Sequence, residues 1–197
     1  MPQLKEDVQV SKEPIFLIGA RGCGKTTVGE RLAGRCHALF VDSDHELQQR
    51  AGKSIADIVA ESGWDAFRTL EAQTLRAVTQ SASVVATGGG VILAPDNRAF
   101  MRASGTVFYL QAPVSVLARR LEVAPEEDQR PTLTGKPVDE EVREVLSQRE
   151  AFYRETAHYV VDAAQAPDDV VAQIIAFLEA GKTSTTPKKS AAAGQRL

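Results

Sequence analysis

The sequence predicts one α/β domain, a mostly parallel sheet with helices on both faces. Two observations predict it. Short apolar runs alternate with segments of helical periodicity through most of the chain, the pattern of successive βαβ units. A glycine-rich stretch, GARGCGKT, stands between the first apolar run and the first helical segment, where a parallel sheet places its phosphate-binding turn.

The first apolar run, PIFLIG, reads as a buried strand, and residues 25–35 as the helix after it. ALFVDSD reads as the second strand, with acids at its carboxyl end. Residues 43–50, 54–61 and 64–80 read as helices, punctuated by Gly52 and Gly63. SVVAT is the third strand and runs straight into three glycines. Residues 95–103 form a short helix, GTVFYLQA the fourth strand, and residues 114–121 another helix. The segment EVAPEEDQRPTLTGKP then shows neither period. Its three prolines, one glycine and four acids mark a long loop, either a mobile functional lid or simple disorder. Residues 138–156 read as a charged amphipathic helix, HYVVDA as the fifth strand and residues 167–180 as the closing helix. The domain is expected over residues 14–180, after an N-terminal extension of residues 1–13. Residues 181–197 read as a disordered, low-complexity basic tail.

A chain of 197 residues suffices for one domain with a full core and is short for two. The net charge is −3, and Lys182, Lys188, Lys189 and Arg196 stand without an acid in the tail, so the body is more acidic still. Such a body has no electrostatic footprint for nucleic acid or a membrane surface. No window approaches 18 consecutive apolar residues, and the N-terminal MPQLKEDVQVSKEP lacks the apolar core of a secretory signal. The two cysteines, Cys23 and Cys36, flank a predicted helix too long to bridge. We expect a cytoplasmic monomer with reduced thiols, acting on small molecules, with no nucleic-acid or membrane partner.

GARGCGKT, residues 19–26, matches the pattern G-x-x-x-x-G-K-[ST] between a strand and a helix. Its glycines let backbone N–H groups point at phosphate oxygens, and the helix N-terminus adds its dipole. In that chemistry Lys25 bridges the β- and γ-phosphates and the Thr26 hydroxyl binds Mg²⁺. Gly22, Cys23, Gly24 and Thr27 complete the cradle. Cys23 is either a small filler or, beside Lys25 at a helix N-terminus, a reactive thiol.

Phosphate-binding folds of this kind usually end a later strand in an acid that helps hold the metal. Here that strand ends VVATGGG, and the acids appear instead in FVDSD. In an extended stretch Asp42 and Asp44 share one face, so Asp42 reads as a ligand of hydrated Mg²⁺ and Asp44 as a contact to a substrate hydroxyl. The alternative is a helix cap followed by a first-turn acid. In GWDAFRTLE, Arg68 and Glu71 are helical neighbours, either a solvated ion pair or an oriented guanidinium.

Together GARGCGKTT, FVDSD, GWDAFR, VVATGGGVIL, RPTLTGKP and REAFY follow the order and spacing of the shikimate kinase family, and the chain resembles its type 2 subgroup over roughly residues 13–178. The resemblance implies a P-loop kinase fold with strand order 2-3-1-4-5 and a mobile lid over about residues 122–137. It implies transfer of the ATP γ-phosphoryl group to the 3-hydroxyl of shikimate, a step of aromatic amino-acid biosynthesis, with Mg²⁺ as the metal. By the same resemblance Asp44 contacts the attacking hydroxyl, Arg68 and Arg149 clamp the shikimate carboxylate, and Phe67 flanks the ring. Gly88, Gly89 and Gly90 form the floor beneath that ring. Arg130 swings in with the lid toward the phosphates, and Arg120, with Arg119 beside it, matches the adenine-stacking arginine. A kinase for gluconate shares single motifs, and a silent nucleotide-binding module is the rival from another class.

Overall fold

In the computed structural model of the chain, which describes residues 12–123 and 135–183, five strands form one sheet in the order β2-β3-β1-β4-β5, every pair parallel. The strands are β1 (Ile15–Ile18), β2 (Leu39–Asp42), β3 (Ser83–Ala86), β4 (Thr106–Gln111) and β5 (Tyr159–Asp162). The helices are α1 (Lys25–Cys36), α2 (Ser43–Ala51), α3 (Ile55–Val78), α4 (Pro95–Ser104), α5 (Val114–Val123), α6 (Val138–Thr156) and α7 (Pro167–Thr183), and a 3₁₀ turn covers Val91–Leu93. The strand order and the parallel sheet are those the resemblance implies.

Alternation along β1 divides the core. Ile15 and Leu17 point to one face, where Val28, Leu32, Phe108, Leu117 and Ile174 pack under α1, α5 and α7. Phe16 and Ile18 point to the other, against Leu75, Met101, Tyr109 and Tyr153 beneath α3, α4 and α6. A third, small cluster of Leu47, Ile55, Ile58 and Phe67 joins α2 to α3, with Trp64 packed on it. The register sets Asp42 of β2 opposite Ala86 of β3, and Ala86 opposite Leu17 of β1. The segments that leave these three strands therefore emerge side by side at one rim.

Two local expectations change. The second strand stops at Asp42 rather than continuing through Ser43 and Asp44. The Asp42 carboxylate accepts the backbone N–H of Asp44 at 3.0 Å and of His45 at 3.2 Å, which caps α2 and starts it at Ser43. Asp44 thus lies in a first helical turn, not in an extended stretch. The two expected helices over 54–61 and 64–80 form one span that starts at Ile55 and is kinked at Gly63, whose φ of 78° is open to glycine at little cost. Ser54 and Asp57 begin the span with a reciprocal capping box. The closing helix continues to Thr183, three residues into the expected tail. Residues 124–134, with Arg130 and most of the expected lid, lie outside the described residues, as do residues 1–11 and 184–197.

Candidate active site

The turn from Gly19 to Thr26 joins β1 to α1 at the carboxyl rim of the sheet. Gly22 and Gly24 take positive φ, 81° and 94°, and Gly24 is the N-cap of α1 with no side chain closing the helix end. The first-turn N–H groups of a helix have no intrahelical acceptor, so this end presents donors and a positive dipole to an anion. The Lys25 ammonium lies inside the turn, donating to the Gly19 carbonyl at 2.9 Å and the Ala20 carbonyl at 3.1 Å, with the Cys23 sulfur at 3.6 Å. Cys23 and Cys36 are both buried, and no disulfide joins them.

Beside the turn, the Thr26 hydroxyl donates to Asp42 Oδ2 at 2.8 Å. Asp42 therefore does two things, capping α2 with one oxygen and reaching α1 with the other. A hydroxyl and a carboxylate brought together suit a hard cation that completes its shell with phosphate oxygens and water. Among the described residues no cluster of three or more His, Cys, Asp or Glu offers an all-protein metal cage.

The three glycines after β3 form the adjoining wall. Thr87 anchors their start, its N–H and hydroxyl both reaching the Leu17 carbonyl, at 3.1 and 2.9 Å. The carbonyls behind the bend are each claimed: Gly88 by Val91 N–H, Gly90 by Leu93 N–H, and Gly89 by the Tyr153 hydroxyl at 2.5 Å. Asn97 and Arg98 hold the next carbonyls, of Val91 and Ile92, at 3.1 and 2.8 Å. By contrast, the N–H groups of Gly88, Gly89 and Gly90 meet no protein acceptor among the described residues. A Cβ at Gly89 would stand 3.5 Å from both the Arg21 nitrogen and the Gly19 oxygen, so the second glycine segment abuts the first.

Arg68 lies over this bend, so close to Gly90 that a Cβ there would overlap its guanidinium. Glu71, 2% exposed, holds that guanidinium at 2.7 Å. The guanidinium carbon sits 5.5 Å from the Trp64 ring and 5.1 Å from the Phe67 ring. Phe67 is fully buried in the small cluster, so it supports Arg68 from behind. Arg149 is half-buried on α6, one turn before Tyr153 and on the same helical face. Across the cleft, Arg120 donates to the Ala163 carbonyl at 2.9 Å and to the Gly22 and Cys23 carbonyls at 3.4 Å.

One open cleft of about 2290 Å³ runs along the rim, lined by Lys25, Asp42, Asp44, Gly89, Arg120 and Pro167 among others. It is larger than the roughly 300–1,000 Å³ of a single-ligand pocket and is open to solvent. Gly89 is part of its lining, whereas Arg68, Gly90 and Arg149 are not. Two residues that hold backbone carbonyls near the bend escaped the sequence reading. Tyr153 is one, and its place four residues after Arg149, on one helical face, is the signal that could have found it. Asn97, 1% exposed, is the other, and nothing in its sequence context distinguishes it from a helix-surface asparagine.

A family model described as shikimate kinase matches residues 21–179. Shikimate kinase 2 of Enterobacter sp. (strain 638) is 60% identical over 166 residues, which cover 84% of this chain and 95% of that protein. The solved structure of a shikimate kinase from Acinetobacter baumannii in complex with shikimate is 36% identical, with a TM-score of 0.80, covering 86% of this chain and 94% of that one. A gluconokinase from Sinorhizobium meliloti, 19% identical with a TM-score of 0.53 over 90% of this chain and 99% of that one, shares the fold alone.

Proposed function

The chain belongs to the shikimate kinase family, and from that premise we infer how its rim performs the reaction: the γ-phosphoryl group of ATP passes to the 3-hydroxyl of shikimate, giving shikimate 3-phosphate and ADP. The observation that carries this reading is the abutment of the Gly88–Gly90 bend on the phosphate-binding turn, with Arg68 lying over Gly90. A donor grip and an acceptor grip thereby meet at one wall.

The uncapped N-terminus of α1 and the Lys25 ammonium take the β- and γ-phosphates. Thr26 and Asp42 are the residues that would hold Mg²⁺, which would supply charge neutralisation at the phosphates. Arg120, held by three backbone carbonyls and lining the cleft, presents a flat guanidinium to the adenine. On the acceptor side Arg68 and Arg149 grip the carboxylate, the geometry for which a guanidinium is suited. The glycine amides lie under the ring, where a side chain would block close approach. Asp44 accepts the hydrogen of the attacking hydroxyl and orients its oxygen toward the γ-phosphorus. Arg130, which lies outside the described residues, is the further arginine that we propose adds positive charge to the transferred group.

The kinase is taken to act as a monomer. The two unbridged cysteines suit the reducing cytoplasm. A coupled assay with ATP and Mg²⁺, run separately with shikimate and with gluconate, tests the reading. Shikimate-dependent ADP release is expected; transfer to gluconate alone would overturn it.

A further inference from the structure

We propose that Tyr153 is a positioning residue for the acceptor: its hydroxyl holds the Gly89 carbonyl, and with it the plane that carries the Gly90 N–H, and so sets the shape of the glycine bend on which Arg68 rests. This rests on the kinase reading above and adds to it a residue that touches neither substrate.

The geometry is specific. Tyr153 is fully buried, and its hydroxyl donates to the Gly89 oxygen at 2.5 Å. A peptide unit turns as a plane, so fixing the carbonyl of Gly89 also fixes the N–H of Gly90. Glycines resist such rotation less than any other residue, and three in a row have no side chain of their own to set their plane. The neighbouring carbonyls, of Gly88 and Gly90, are held only by contacts local to the bend, to Val91 and Leu93. Tyr153 supplies the tie from outside.

The tie is itself braced. The Tyr153 ring stacks on Tyr109 with centroids 4.9 Å apart and planes at 17°. The Tyr109 hydroxyl donates to Glu150 at 2.5 Å, and Gln111 and Arg154 hold the same carboxylate at 3.0 and 2.7 Å. Burial first, and the Glu150 carboxylate second, push the Tyr109 phenol far above its ordinary value of 10.0, so it stays a donor. Helix α6 is thus fastened to β4 one turn from the hydroxyl that steers the bend.

The test is Tyr153→Phe, which keeps the ring and its stacking and removes one oxygen. The KM for shikimate, and its Kd from Trp64 fluorescence, should rise about tenfold, the worth of one buried hydrogen bond. The KM for ATP should stay within twofold of the parent enzyme. A shikimate KM within twofold of the parent would overturn the proposal. So would a parallel rise in the KM for ATP, or loss of a cooperative melt, because either assigns the hydroxyl to the fold in general. Failure of the kinase reading looks different, since the parent enzyme itself would then show no shikimate-dependent turnover.

Discussion

The guanidinium of Arg68 and the α-carbon of Gly90 occupy adjoining space with no room for a Cβ between them. Two motifs distant in sequence interlock there: the arginine that grips the acceptor can rest on the bend only because the bend lacks a side chain at that point.

Gly90→Ala should therefore displace Arg68 from its seat while the helices stay folded. The shikimate KM is expected to rise by about 10–100-fold, the range for losing one charged hydrogen-bonding partner. The KM for ATP should be unchanged. Steady-state kinetics with each substrate varied in turn check this.

Arg68→Lys keeps a positive charge near Glu71 but loses the planar fork, so shikimate binding should weaken with little loss of stability. Arg68→Ala goes further, because Glu71 is 2% exposed and would lose its guanidinium partner. With Arg68 itself 22% exposed, the cost should be about 2–4 kcal/mol, below the value for a fully buried pair. Urea melts of the two variants separate the effects.

Asp42→Asn divides the two jobs of Asp42. Asparagine caps helices as well as aspartate does, so the melting temperature should hold. The Mg²⁺ concentration for half-maximal rate should rise by about 10–100-fold. A magnesium titration of the initial rate, beside a thermal melt, reads both.

Lys25→Ala removes the ammonium from the Gly19 and Ala20 carbonyls and from the transferring phosphate. Turnover should fall by at least about 10²–10³-fold, as when a preorganised donor to developing charge is lost. Binding of shikimate alone, followed by Trp64 fluorescence, should persist.

His158 gives a pH dependence far from the chemistry. Its Nδ1 accepts the Val107 N–H at 3.0 Å, which requires an unprotonated nitrogen. Burial first, and the Arg102 charge second, lower its pKa from 6.5, with Glu13 opposing. A histidine with a depressed folded pKa contributes stability that is complete above its unfolded pKa and is lost as pH falls below it. The parent chain should therefore lose more melting temperature between about pH 7 and pH 5 than His158→Asn, whose amide oxygen accepts the same N–H without titrating.

Much of this was legible in the residues themselves. Strands and helices followed from period, and the phosphate-binding turn followed from glycines at a strand–helix junction. Asp42 and Asp44 show where such reasoning fails. The extended face gives way to the alternative weighed beside it, a helix cap followed by a first-turn acid: Asp42 caps α2 and Asp44 lies in its first turn. Both the cap and the metal-ligand readings use the same carboxylate, and sequence spacing does not separate them. Tyr153 and Asn97 were missed for a different reason. Their partners are backbone carbonyls, of Gly89 far along the chain and of Val91 six residues back, and a backbone carbonyl carries no residue-specific signal.

The division of the interior into three packed clusters has a consequence for how such enzymes diversify. Lys25 follows a strand braced by the large clusters on the sheet faces, whereas Arg68 is seated on the small cluster of Leu47, Ile55, Ile58 and Phe67, past the break at Gly63. The glycine bend shares the large core through Val91, Ile92 and Tyr153, so only the seat of Arg68 draws its rigidity from a separate reservoir of buried surface. Repacking the few side chains beneath that arginine would shift how the acceptor is gripped while leaving the ground under the nucleotide turn undisturbed.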